Sequence, residues 1–361
     1  MVAYRGHGAN VAGMRSSLDS SLRPAPPPDP HAHFLHGLQQ LLDDALRPEV
    51  ENADSIALLD FPDFSNVGDS AIWLGALATL RRLGTPSPCH SCDARSYDRA
   101  TLARRLGKGV ILLNGGGNFG DLWPRHQHFR ERVVADFPDN PIVVMPQSMH
   151  FVDPQAAERA RAVFRTHSQL TLLLRDRESL HEAMRLFGGI ARLAPDTAFG
   201  LTALRRSRAP TQDILWLKRD DQEDRWTALD VSKLGHASAD WAGDESTPLV
   251  RMHDALVRAT KRPIAARVAR RALMWVHPRL AQERLDRGVA LLSSARVIVT
   301  DRLHGHILCL LLGIPHVVLD NSYGKLSRFI GAWSNSSALV RVASTPEEAH
   351  SLARTLLSDD T

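Results

Sequence analysis

Three cysteines in 361 residues are too few to staple a chain of this size, which excludes the disulfide-rich secreted scaffolds and fits a reducing compartment. No run of about 18 or more apolar residues occurs, so no segment reads as a bilayer span. The N-terminus lacks the apolar core of a signal peptide, and the chain is expected to be cytoplasmic. An excess of one charge is missing too. Forty-four basic against 40 acidic residues leave +4, too little to argue for nucleic acid yet compatible with a small anionic substrate. Cys89 and Cys92 have the spacing of metal ligands, but Cys309 falls in an apolar helical stretch and no companion cluster completes a site, so no metal is expected. What is present is ordinary globular composition, 43% hydrophobic and 23% charged, which excludes a disordered chain and suffices for two cores.

Hydrophobic period changes repeatedly along the chain, as it does in a doubly wound α/β fold. Residues 1–50 read as a Gly, Ser and Pro-rich arm followed by an amphipathic helix carrying Leu35, Leu38, Leu41, Leu42 and Leu46. Strands are expected at Ile56 to Leu59, Val110 to Leu113, Ile142 to Met145, Leu170 to Leu174 and Ala191 to Leu193, then at Ile214 to Leu217, 297–300, 316–319 and Leu339 to Val342. The Arg, Ser and Pro-rich stretch at 200–212 divides the two series. The reading is therefore an arm and leading helix (1–50), an N-terminal α/β domain (51–205) and a C-terminal α/β domain (206–361), with a cleft between the two domains.

Polar residues collect where these strands end. Asn66-Val67-Gly68-Asp69 opens the helix after the first strand, so Asp69 is either a helix-end acid or a proton acceptor in the cleft. Asn114-Gly115-Gly116-Gly117-Asn118-Phe119-Gly120-Asp121 reads as a loop whose backbone can approach a ligand, with Gly116, Gly117 and Asn118 as candidates. It is neither G-x-G-x-x-G nor a Walker loop. Gln147, Arg175 and Asp196 follow the next three strands. In the second series, Thr300-Asp301-Arg302-Leu303-His304 delivers a guanidinium fork and an imidazole to a helix N-terminus, which favours an anion. The plainer alternative makes Asp301 a cap and the histidine a packing residue. Lys325, after Asn321-Ser322-Tyr323-Gly324, starts another helix and is a further anion candidate. Between Asp254 and Glu283 no acidic residue occurs, while Arg258, Lys261, Arg262, Arg267, Arg270, Arg271 and Arg279 do, around Ile264, Val268 and Trp275. That pattern suits either a solvated helix or one lying on an anionic membrane.

The ordered set Asn-Val-Gly-Asp, Asn-Gly-Gly-Gly-Asn-Phe-Gly-Asp, Pro-Gln-Ser, Arg-Asp-Arg-Glu-Ser, Pro-Asp and Thr-Asp-Arg-Leu-His-Gly resembles the polysaccharide pyruvyl transferase family over about residues 55–335. The resemblance implies a glycosyltransferase-B-like pair of Rossmann-type domains. It also implies transfer of a pyruvyl group from phosphoenolpyruvate to a sugar of a surface or exopolysaccharide precursor, forming a pyruvate ketal, with no metal or organic cofactor. By similarity the Arg-Leu-His triplet falls on Arg302, Leu303 and His304, a second phosphate-binding arginine on Arg175, and the cleft aspartate on Asp69. His304 is the expected acid and Asp69 the expected base. Lys325 would join the donor contacts, while Asn66, Gly116, Gly117, Asn118, Gln147 and Asp196 would line the acceptor side or the cleft. The acceptor, free or lipid-linked, would be met at the inner face of the membrane. A sugar-nucleotide glycosyltransferase shares the fold and the anion-binding helix start, and a non-catalytic carbohydrate-binding protein would need no general acid.

Overall fold

The computed structural model describes residues 29–219, 231, 237–241, 243, 247–320 and 324–359. Helix α1 (Pro30–Val50) starts where Asp29 accepts the His31 amide at 3.0 Å, and it buries Leu35, Leu38, Leu42, Leu46 and Val50 along one stripe. Among the described residues, seven strands form a first sheet: β1 (Ile56–Leu59), β2 (His90–Cys92), β3 (Val110–Leu113), β4 (Gly116–Gly120), β5 (Ile142–His150), β6 (Leu170–Leu174) and β7 (Ala191–Leu193). Their order is β2-β1-β3-β5-β6-β7, with β4 paired to β5, and every pairing is parallel. Helices α2 (Val67–Arg82), α3 (Arg99–Leu106), α4 (Pro124–Asp136), α5 (Pro154–Phe164) and α6 (Arg177–Phe187) connect them. A single 3-10 turn, Thr197–Gly200, follows β7.

The second sheet has the order β12-β11-β10-β8-β9, again parallel, from β8 (Gln212–Leu217), β9 (Ala237–Ala239), β10 (Ala295–Thr300), β11 (His316–Leu319) and β12 (Val340–Ala343). Helices α7 (Pro248–Ala259), α8 (Pro263–Leu292), α9 (Leu303–Leu312), α10 (Lys325–Trp333) and α11 (Pro346–Asp359) complete it. Two parallel sheets bearing helices confirm the α/β class, since buried β-branched and leucine-rich strands need helical cover on their faces. One apolar cluster joins the halves: Val67, Ala71 and Ile72 of α2 share it with Leu303, Ile307 and Leu308 of α9. The starts of α2 and α9 are thereby brought face to face.

The strands differ from the sequence reading most around the glycine segment. β5 does not stop at Met145 but runs on to His150, with a register irregularity between Val144 and Gln147. Its extension pairs with the glycine segment, so Gly116–Gly120 is a short irregular strand rather than a free loop. Gly120 makes that pairing possible, because at φ 127 an added Cβ would fall 1.7 Å from the His150 carbonyl oxygen. β2 and β9 carry no apolar run that periodicity could detect. The basic segment 258–279 is two helices, α7 and α8, separated by a turn. Leu249, Val250 and Leu256 of α7, with Val276, Leu280 and Ala281 of α8, pack into the core of the first sheet beside Trp73. The chain thus crosses back over the first sheet before entering β10.

Candidate active site

Between the starts of α2 and α9 lies a cavity of about 460 Å³. From the first half, Asn66, Asp69, Gly117, Asn118, Arg125, His126 and Arg175 line it; Arg219, Trp241, Arg302, Leu303 and His304 line it from the second. Four guanidinium groups and two imidazoles face a single carboxylate in the lining, so the wall is rich in N–H donors, although Asp63, Asp196 and Asp240 pair with Arg125, Arg175 and Arg302 from behind.

Local folding explains why each side chain is there. Asn66 caps α2, its Oδ1 accepting the Gly68 amide at 2.9 Å, so Asp69 enters the first helical turn with its carboxylate inward. That carboxylate nests against Gly116, where a Cβ would stand 3.0 Å from Oδ1. Asp69 is buried and accepts no hydrogen bond among the described residues; burial pushes its carboxyl up, partly offset by His304, His126 and Arg175. Its pKa therefore moves toward neutrality, as a proton acceptor requires. Gly68, one residue earlier, leaves room for the His304 ring: a Cβ there would come within 2.3 Å of Nδ1.

Arg302 is the N-cap of α9, its amide held 3.0 Å from Thr300 Oγ1, and its Nη2 donates to Asp240 at 2.5 Å. Asp301, next to it, accepts the Arg219 amide at 2.9 Å and ties the end of β8 to the end of β10. Gly305 allows α9 to close on the sheet, since a Cβ would lie 2.6 Å from Thr300 Oγ1. Arg175 follows β6, almost fully buried, with Nε donating to Ser148 Oγ at 2.9 Å and Nη1 to Asp196 at 2.6 Å. Asp196 Oδ2 also stands 3.4 Å from His304 Nε2, while Oδ1 accepts the Ala198 amide at 2.8 Å. Burial alone would raise the Asp196 carboxyl, but His304, Arg175 and the Ala198 amide together hold it well below the usual carboxylate range. It stays ionised between Arg175 and His304.

The structure thus brings Asn66, Asp69, Gly117, Asn118, Arg175, Arg302, Leu303 and His304 to one cavity wall. Gly116 supports Asp69 from behind, and Asp196 sits one layer back, bracing Arg175 and His304. Gln147 does not reach the cavity; fully buried inside β5, its Nε2 donates to the Asn114 carbonyl at 2.8 Å. Lys325 opens α10, but its side chain and residues 321–323 lie outside the described part of the chain. Sequence reasoning missed Arg125, His126, Arg219 and Trp241. Arg219 had a signal, being two residues past a strand end. His126 had none, since it belongs to the first turn of a helix that follows no apolar strand directly.

A likeness to known proteins accompanies this geometry. The polysaccharide pyruvyl transferase profile matches residues 66–323. Pyruvyl transferase 1 of Schizosaccharomyces pombe is 32% identical over 304 residues, covering 79% of this chain and 71% of that protein. EpsO of Bacillus subtilis, whose name assigns it provisionally as a pyruvyl transferase, is 28% identical over 329 residues, covering 87% of this chain and 97% of EpsO. Among solved structures, a protein of uncharacterised function from Klebsiella pneumoniae superposes with a TM-score of 0.56 at 17% identity, over 85% of this chain and 99% of its own. With the profile spanning both halves of the cavity wall, from Asn66 past His304, the chain belongs to the polysaccharide pyruvyl transferase family.

Proposed function

We propose that the protein transfers a pyruvyl group from phosphoenolpyruvate to two hydroxyls of a sugar in a surface or exopolysaccharide precursor, forming a pyruvate ketal and releasing phosphate. The convergence of four guanidinium groups on one cavity between the two sheets is the observation that carries this reading: Arg125, Arg175, Arg219 and Arg302 surround a space that suits a small, dense anion bearing both phosphate and carboxylate. Arg175 and Arg302 each have one donor fixed by an aspartate, Asp196 and Asp240, which orients the fork before the donor arrives. Lys325, at the start of α10, is retained as a further donor contact. The backbone of Gly117 and the side chains of Asn66 and Asn118 would border the sugar.

In the chemistry, the enol carbon C3 takes a proton from His304 while C2 bonds the first sugar oxygen, whose proton passes to Asp69. Phosphate then leaves as the second hydroxyl adds. Of the two hydroxyl protons, one ends on C3 and the other on phosphate, so the transfer balances with no oxidant or cofactor. Asp196, ionised 3.4 Å from His304 Nε2, would orient the ring for that step.

An acceptor met at the inner face of the membrane, and lipid-linked, is the reading favoured by α8. Ile264, Arg267, Val268, Arg271, Trp275 and Arg279 all lie on its exposed side, with Ile264 98% and Val268 72% exposed and the Arg279 guanidinium 3.8 Å over the Trp275 ring. Apolar and basic groups alternating on one face with no acid suit an anionic bilayer surface. No helix among the described residues is long and apolar enough to cross a membrane.

The donor is tested by thermal protection. Phosphoenolpyruvate should raise the melting temperature in proportion to its saturation, and nucleoside diphosphates should not. Protection by a nucleoside diphosphate alone would favour a sugar-nucleotide glycosyltransferase instead.

A further inference from the structure

Asp60 is the one non-glycine residue with positive φ among the described residues, at 63°. Such a conformation is uncommon for a side chain larger than glycine, and Asp and Asn tolerate it best. It turns the chain sharply at the end of β1 and aims a buried carboxylate at His126, whose Nδ1 lies 3.0 Å from Oδ1 and 3.2 Å from Oδ2. His126 itself lines the cavity that contains Asp69 and His304. Because both carboxylate oxygens engage Nδ1, the proton on that nitrogen is fixed, and Nε2, which has no hydrogen bond among the described residues, is left to work in the cavity. The cavity therefore holds two histidine-carboxylate pairs, His304 with Asp196 and His126 with Asp60, and the first half of the transfer uses only one.

We infer that His126, oriented by Asp60, is the acid and base of the second half of the transfer. This rests on the donor reading above. After C3 is protonated and C2 has bonded the first sugar oxygen, C2 still carries the phosphate ester. The bond from C2 to the bridging oxygen breaks, its electron pair leaves with phosphate, and the His126 imidazolium gives that oxygen its Nε2 proton. The second hydroxyl oxygen bonds C2, and its proton returns to Nε2. Asp60 remains ionised throughout and acts as a positioning residue.

Electrostatics agree with the geometry. Burial alone would discharge His126, but the Asp60 bond and charge, aided by Asp69 from α2, outweigh it and raise its pKa, with Arg130 of the same helix opposing. Arg175, Arg219 and Arg302 face the same space from the other walls. The balance is toward the imidazolium, the form that the departing phosphate needs.

The test separates the two halves. Enzyme, phosphoenolpyruvate and a panel of aryl glycosides are incubated in deuterium oxide, reading deuterium in the methylene of recovered phosphoenolpyruvate for the first half and phosphate release for the whole. His126→Gln should release phosphate about 100-fold more slowly, the usual scale of a lost acid or base, while deuterium still enters the donor. His304→Gln should lose both signals. Equal loss of both in His126→Gln, or no loss, overturns the assignment. A wild-type enzyme showing neither signal with any glycoside would remove the donor reading, and this inference with it. Asp60→Asn, which keeps the backbone conformation, guards against a folding artefact. It should move the alkaline limb of kcat to lower pH by about 1 unit or more, whereas a purely structural Asp60 would lower kcat equally at every pH.

Discussion

Arg302 and Gly68 illustrate how single residues set the site. Arg302→Ala removes a guanidinium from a cavity wall and leaves Asp240 without the donor that it accepts at 2.5 Å. Loss of a charge-assisted hydrogen bond to the donor should cost about 1.5 to 3 kcal/mol of phosphoenolpyruvate affinity. Calorimetry on the folded variant checks this, and unchanged affinity would take Arg302 out of the donor site. Gly68→Ala acts without touching any ligand. Alanine is better than glycine in a helix by about 1 kcal/mol, so α2 should tolerate it, yet the new Cβ would sit where His304 Nδ1 now lies, 2.3 Å away. Turnover should fall at least about tenfold while the melting temperature stays near wild type; full turnover would mean that the His304 ring does not need its present seat. Asp69, Arg175, Arg302 and His304 were legible in the sequence because each follows a strand, where an α/β sheet exposes side chains. His126 was not, because its role depends on a bend at Asp60 that composition and period do not encode.

Elements were legible where burial is one-sided or complete. The fully buried runs of β1, β3 and β6 appear in the structure as the sequence reading has them, and so does the leucine stripe of α1 except for Leu41, which is half exposed. The far half of β5 was read short because Pro146 and Gln147 look like a strand exit; there the partner is a glycine strand whose identity only three-dimensional pairing reveals. α8 shows the opposite case. Its basic character was evident, but which arginines face outward was not: Arg270 turns inward, 3.6 Å from Asp98 and 3.4 Å from the Thr260 carbonyl, and is no part of the exposed stripe. The membrane prediction therefore belongs to Arg267, Arg271 and Arg279. Replacing these three with glutamate should abolish cosedimentation with vesicles containing anionic lipid at low salt, given about 1 kcal/mol of attraction per basic residue near such a surface. Wild-type and variant proteins that bind equally, or not at all, would make α8 a solvated helix.

For the molecule as a whole, two parallel sheets and a cleft followed from the alternation of strand and helix periods, while the return of α7 and α8 across the first sheet did not. That packing seals His277 against Phe61, with ring centroids 4.1 Å apart, and Ser91 Oγ lies 2.9 Å from its Nδ1. Burial depresses His277 to about 3 and His90 to about 4. In the second sheet burial likewise lowers His316 to about 4 and His306 well below its ordinary value, as the chain from Ser334 through His306 and His316 to the Ile314 carbonyl requires. Above pH 6.5 these groups are neutral in both the folded and unfolded states, and stability is intact. As pH falls, the unfolded chain takes up protons that the folded one refuses, at about 1.4 kcal/mol per pH unit for each group. Against a typical total of about 5 to 15 kcal/mol, four such groups should unfold the protein cooperatively near pH 5, on the order of one unit either way. Circular dichroism during acid titration reads this, and an unchanged fold down to pH 3 would show that the histidines are not held neutral.

The central claim is that the cavity between the sheets carries a pyruvyl group from phosphoenolpyruvate to a sugar. Its most direct test is mass spectrometry of a panel of glycosides incubated with the purified protein and phosphoenolpyruvate, with released phosphate measured in parallel. The account predicts one acceptor gaining the mass of a single pyruvate ketal, in equal amount with phosphate, and loss of both signals in His304→Ala. Phosphate released without a modified sugar, or product formed undiminished by the His304 variant, would contradict it.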